Sequence, residues 1–228
     1  MGLRVMQIAY HHRSFAADGC ATGDNAGITN DGRKMIRAME KYGVTVDLSH
    51  VGERSTLEAM DVCRKPPIFS HSNPLGVNKH IRNITDEQAK KCAALGGVVG
   101  AVGLTPSLYN GKDFPTIENY MDCIDYYVKL IGIDHVGIGL DSNATMGGYE
   151  HRTLMNIHRN YRGPDFKESL EYKGYMAGKG YYSIKLEGLM NMANLPNSTN
   201  HLLMRGYGEK DIKKILGENW LRVFRETW

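Results

Sequence analysis

The sequence predicts an α/β protein built on a parallel sheet, and three observations carry that reading. Strand-like and helix-like runs alternate along residues 3–141, the pattern of strands joined by crossover helices. Three of the strand-like runs end in a chemically active residue: His50 in VTVDLSH, His71 in PPIFSH and Asp141 in HVGIGLD. A chain of 228 residues can bury a full core and fits a single α/β domain.

The strands are expected at 3–10 (LRVMQIAY), 44–49, 67–70, 97–103 (GVVGAVG) and 135–141, each a short apolar or β-branched run bounded by turn residues. Between them, 31–42 carries Met35, Ile36, Met39 and Tyr42 on one helical face and stops at Gly43. Ser55 with Glu58, and Thr85 with Gln88, have the spacing of capping boxes, and the first of these helices should end before Pro66. From Thr116 to Ile131 an apolar stripe runs to a stop at Gly132. Residues 143–183, rich in Gly, Tyr, Asn and charge, read as a loop or lid over the strand ends. Helices are expected again at 184–193, 198–205, 209–216 and 218–226, the last two packing Ile212, Ile215, Leu216, Trp220, Val223 and Phe224 as core. Five strands leave two sheet edges and an apolar inner face, which a partner chain or the 142–182 segment is expected to cover.

Composition narrows the function classes. The net charge of +3 comes from 28 basic and 25 acidic residues spread along the chain, so there is no basic stripe to track nucleic acid. Cys20, Cys63, Cys92 and Cys123 form no Cys-x-x-Cys pair and read as reduced thiols. The N-terminus lacks a signal-peptide pattern and no run approaches the ~20 apolar residues of a membrane span, so a soluble, cytoplasmic chain is expected. There is no Gly-x-Ser-x-Gly elbow, Walker loop, Gly-x-Gly-x-x-Gly fingerprint or His-Glu-x-x-His helix.

The strand ends carry the chemistry. Imidazoles at the ends of neighbouring strands arrive within metal-coordinating reach, so His50 and His71 are candidate zinc ligands; the bland alternative is that each bonds to nearby backbone. Asp141 is a candidate general base or proton shuttle, or else the cap of a following helix. Arg82, in the turn-rich loop NPLGVNKHIRN, is either solvated or able to grip a carboxylate. His80, His135, His151, His158 and His201 show no such pattern and are expected to be surface or locally bonded; His11 and His12 directly follow the first strand.

Taken together, VDLSHVGERST, PPIFSHSNPLGVNKHIRN and DHVGIGLDS resemble the membrane (renal) dipeptidase family, the M19 metallopeptidases of the amidohydrolase superfamily. The spacing of 21 residues between the histidines, the arginine 11 residues later and the C-terminal LLMRGYGEKDIKKILGENWLRVF share in the likeness. The resemblance implies a (β/α)8 barrel of which this chain holds about five strands, and hydrolysis of dipeptides at a site with two zinc ions. By the same resemblance His50 and His71 bind one zinc, Arg82 contacts the substrate carboxylate and Asp141 assists proton transfer. Tyr10 stands where the family often has a substrate-contacting histidine. The family's His-x-Asp pair and bridging glutamate have no counterpart here, since no His-x-Asp occurs in the chain, and Asn143 stands where a second acid is common. The expectation is therefore a C-terminal part of such an enzyme that needs an N-terminal complement chain or a homo-oligomeric partner. The alternatives are a non-catalytic binding or assembly subunit, or a related metallohydrolase acting on a modified amino acid.

Overall fold

The structure, a computed structural model, describes residues 2–109, 115–141, 186, 188–189 and 192–228. The expected lid at 143–183 lies outside them. The five expected strands are present as shorter cores: β1 (Val5–Gln7), β2 (Thr45–Asp47), β3 (Ile68–Phe69), β4 (Val98–Ala101) and β5 (Val136–Ile138). They form one sheet in the order β1-β2-β3-β4-β5, every neighbouring pair parallel. Helices α1 (Asn30–Lys41), α2 (Glu53–Val62), α3 (Asp86–Ala94), α4 (Thr105–Leu108) and α5 (Ile117–Ile131) lie between or beside the strands, α4 being a single turn with no sequence signal recognised above.

Local chemistry sets several helix ends where expected. Thr85 and Gln88 close a reciprocal capping box on α3, and Asn119 accepts the Thr116 amide at 2.9 Å at the start of α5. Ser55 and Glu58 do not cap α2, which begins two residues before Ser55. Tertiary partners claim both side chains: the Ser55 hydroxyl accepts the Asp18 amide, and the Glu58 carboxylate accepts the Ile28 amide and Arg54.

Register decides which residues share a face. Asp47 lies opposite Ile68, Ile68 opposite Val98, and Gly100 opposite Gly137, placing these on one side. Phe69, Val99 and Val136 turn the other way, into the main core with Ala89, Cys92, Tyr120 and Ile124 of α3 and α5.

The remaining chain corrects two expectations. Residues 186, 188 and 189 are not helical, and Leu186 and Leu189 sit buried in the core; helix α6 spans Leu195–Met204 after a 3-10 turn at Met192–Asn194. The two final helices are one continuous rod, α7 (Glu209–Lys213) running through a π-helical turn (Lys214–Glu218) into α8 (Asn219–Thr227).

That rod packs on the sheet face turned away from α1–α5; the 142–182 segment expected to help cover this face lies outside the described residues. Val223, Trp220 and Phe224 pack on Ile68, Val98 and Val5. Thr227 bonds Thr45 at 2.7 Å, and the Trp228 indole donates to the Arg4 carbonyl at 3.1 Å. Arg222 donates to the carbonyls of Gly96 and Asp134, just before β4 and β5. The rod therefore crosses the N-terminal ends of the strands and leaves their C-terminal ends open. Gly137 makes room for it, because a Cβ there would stand 2.4 Å from the Trp220 indole nitrogen.

Candidate active site

His50 and His71 meet at the C-terminal ends of β2 and β3. Their Nε2 atoms are 2.8 Å apart and their ring centroids 4.9 Å apart. Neither closes its strand directly. Asp47 ends β2, and His50 follows in the left-handed region at φ 71°; Asp141, three residues past β5, has φ 49°. Of the three described non-glycine residues with positive φ, two are therefore candidate site residues, a conformation usually held only where surroundings enforce it.

The enforcement at His50 comes from the β1–α1 loop. Cys20 donates its amide to the His50 carbonyl at 2.7 Å, and Gly19 forms a bridge to Val51. Asp18 holds that loop in shape: its carboxylate accepts the Ala26 amide and the Arg13 guanidinium, each at 2.5 Å. Arg13 keeps the Asp18 carboxyl below the usual carboxylate range. A depressed folded-state pKa contributes stability that is complete above the unfolded value of about 3.9 and is lost as pH falls through the folded value. Asp18→Asn should thus lower stability by about 1 kcal/mol at neutral pH, the ion-pair share being small because Arg13 is half exposed. Urea titrations at several pH values should show the difference closing as pH falls below the unfolded value of about 3.9.

Rings pack around His50. Tyr10 stacks on it at 4.1 Å and 24°, and His11 meets it edge-on at 4.7 Å. On the His71 side, a hydrogen-bonded chain runs back into the sheet. Ser70 Oγ lies 2.7 Å from His71 Nδ1 and donates to Asp47 Oδ2 at 2.5 Å. Asp47 Oδ1 accepts the amides of Ser49 and Ser70, while Ser49 Oγ accepts the His71 amide at 3.0 Å. Asp47 is only 4% exposed. These supporting residues were missed in the sequence, although an aspartate inside an apolar strand is a readable signal.

Arg82 is buried, at 9% exposure, not solvated. It donates to the His71 carbonyl at 3.4 Å. Burial pushes its pKa down from the usual value, against the opposing pull of Cys20, Asp141 and Tyr10. Tyr10, stacked on His50, and Arg82, bonded to the His71 carbonyl, thus flank the histidine pair. The loop carrying Arg82 is pinned by Asn73, which donates to the Val102 carbonyl and Ser107 Oγ and accepts the Val102 amide at 2.9 Å, and by Asn83, which donates to the Asn78 and Ser107 carbonyls. Asn73→Ala should cost about 2–4 kcal/mol, since it strands the amide and carbonyl of buried Val102, just past β4, a loss readable by denaturant unfolding. Beside His50 and Arg82 opens a cavity of about 280 Å³, lined also by Cys20, Glu53 and His80.

Of the five histidines expected to be surface or locally bonded, His135 bonds to the Gly97 carbonyl, His201 to Glu118 and His80 to the Arg82 amide, while His151 and His158 lie outside the described residues. All four cysteines are free thiols, three of them buried. Among the described residues there is no group of three or more His, Cys, Asp or Glu side chains gathered as a metal cage, and no helix long and apolar enough to cross a membrane.

Known proteins are similar to this chain. Dipeptidase tcpJ of Claviceps purpurea is 28% identical across all of this chain and 45% of its own length. Dipeptidase 3 of Mus musculus is 26% identical over 89% of this chain and 33% of its own length. An amidohydrolase from Pseudomonas aeruginosa superimposes with a TM-score of 0.83 at 32% identity, covering 98% of this chain and 64% of that one. A metallo peptidase from Rhodobacter sphaeroides, solved with a phosphinate mimic of the dipeptide L-Ala-D-Ala, shares the fold with a TM-score of 0.75 at 21% identity, over all of this chain and 56% of that one. The chain thus spans less than half the length of these curated relatives. The model of the membrane dipeptidase family matches residues 1–156 and 177–228, so the strand-end histidines sit in a chain that belongs to peptidase family M19.

Proposed function

We propose that this chain contributes half of a zinc site and the carboxylate grip of a dipeptide-hydrolysing enzyme. The observation that carries the proposal is the pair of Nε2 atoms at 2.8 Å beside a buried arginine. Two ligands on a tetrahedral zinc at about 2.0–2.1 Å stand about 3.3 Å apart, so the pair needs to open by only roughly half an ångström. Imidazole nitrogens are the right donors for that metal. A catalytic zinc takes at least three protein ligands, so further donors are supplied by a complement carrying the His-x-Asp pair and bridging carboxylate.

When bound, zinc acts as a Lewis acid on the scissile carbonyl and lowers the pKa of water. The residues of this chain do the rest. Arg82 receives the free C-terminal carboxylate of the substrate, a task for which a planar, charged fork is suited and burial makes specific. Asp141, exposed just past β5, carries a proton to the leaving amine. Tyr10 braces the His50 ring and borders the substrate.

The test is hydrolysis of a plain dipeptide beside its C-terminally amidated twin, with zinc, with and without the complement. The chain alone should turn over little, and the complement should restore activity. Arg82→Ala should then lower kcat/KM on the free-carboxylate substrate about 10- to 100-fold, the worth of a charged hydrogen bond, and leave the amidated twin nearly unchanged. Equal losses on both substrates would remove Arg82 from the carboxylate. Strong activity from the chain alone would remove the need for a complement.

A further inference from the structure

We infer that Asp47 and Ser70 form a relay that sets the tautomer of His71 and thereby presents a bare Nε2 to the metal. The inference deepens the zinc reading and names Asp47 and Ser70 as positioning residues.

The available protons fix the tautomer. Ser70 has one hydroxyl hydrogen and three candidate acceptors, Asp47 Oδ2 at 2.5 Å, His71 Nδ1 at 2.7 Å and, more distant, Ser49 Oγ at 3.3 Å. A carboxylate accepts and does not donate, and at that separation it must receive the hydrogen. Ser70 Oγ can then only accept from His71, so Nδ1 carries the imidazole proton and Nε2 has the lone pair. The 2.8 Å contact extends the chain by one step: a bare His71 Nε2 accepts from His50 Nε2, which carries the proton when no metal is present. The carboxylate is fixed from behind, because its other oxygen accepts the Ser49 and Ser70 amides at 3.0 and 3.1 Å. Carboxylates and hydroxyls behind a ligating histidine commonly fix its tautomer and are worth about 10- to 100-fold in metal affinity.

Reversing the relay is possible with a near-isosteric change. In Asp47→Asn the amide oxygen keeps the two backbone amides and the amide nitrogen takes the place of Oδ2. It donates to Ser70, whose hydroxyl turns to His71 Nδ1, so the His71 proton moves to Nε2 and the His50 proton to Nδ1. A merely structural role for Asp47 would not invert two tautomers together.

The experiment is a long-range proton–nitrogen correlation spectrum of the imidazoles in the metal-free chain, followed by zinc titration monitored in the same spectra. The parent chain should show His71 protonated at Nδ1 and His50 at Nε2. Asp47→Asn should exchange both and weaken zinc binding about 10- to 100-fold. Ser70→Ala should abolish the His71 preference, and Ser70→Thr, which keeps the hydroxyl, should restore it. If Asp47→Asn fails to fold, the Ser70 pair decides. A parent chain with His71 protonated at Nε2, a folded Asp47→Asn with unchanged tautomers, or a Ser70→Ala with the parent preference would overturn the relay. Absence of zinc binding in the parent chain supplied with its complement would defeat the zinc reading while the tautomer spectra still judged the relay.

Discussion

His71→Ala is expected to weaken zinc binding by more than ~100-fold, beyond the 10- to 100-fold attached to residues behind a ligand. The reason lies in the geometry of the pair. With one imidazole gone, His50 alone faces the metal position, and a single neutral nitrogen holds a divalent cation hardly better than solvent does. The fold should survive, because His71 is partly exposed. Zinc titration followed by the His50 ring signals measures the loss directly. In the complemented enzyme the same substitution should take hydrolysis to background, several kcal/mol of transition-state stabilisation being lost with the metal. Parent-like zinc affinity in a folded His71→Ala chain would mean that the metal, if bound at all, sits elsewhere.

Gly139→Ala should be the most damaging single methyl group in the strand ends. A Cβ at Gly139 would stand 1.8 Å from the Ser70 carbonyl oxygen and 3.1 Å from the His71 Cα. Both obstacles are backbone, so relief requires β3 and the segment after β5 to part. The cost should be about 3 kcal/mol or more, at the upper end of overpacking penalties, and Tm should fall by roughly 6–12 °C in a domain of this size. Because the displaced backbone carries His71, zinc affinity should fall with it. Gly137→Ala offers the control. Its Cβ meets the indole of Trp220, the far end of a side chain at the opposite end of the strands, so stability should drop less and zinc affinity not at all. Thermal unfolding and zinc titration of the two variants separate these outcomes; equal effects would contradict the close packing of β5 on the His71 segment.

The histidine pair and the parallel sheet were legible in the sequence because both depend on local order. An apolar strand followed within two or three residues by His50 or His71 fixes the sheet end at which the imidazole emerges, and alternation with helices fixes that the strands run parallel. Thr85 with Gln88 was legible for the same reason, as its bonds close within four residues. Ser55 with Glu58 was not. Its pattern was equally good, but Asp18 and Ile28, distant in sequence, captured the side chains. The stripe of Trp220, Val223 and Phe224 announced an apolar face without saying what it would meet, and the structure lays it on the sheet itself. Arg82 read as a solvated loop residue or an anion grip; only the folded loop, pinned through Asn73 and Asn83, shows it buried. Asp47 and Ser70 stayed hidden because their meaning arises from adjacent strands placing them in register with His71.

The most direct test of the paired-imidazole site is the anomalous scattering of zinc in crystals of the chain soaked with the metal. One zinc should appear bonded to Nε2 of both His50 and His71 at about 2.0–2.1 Å, with Ser70 still hydrogen-bonded to His71 Nδ1. Zinc bound at another position, or a histidine pair still in mutual contact with no metal between them at saturating zinc, would contradict the site.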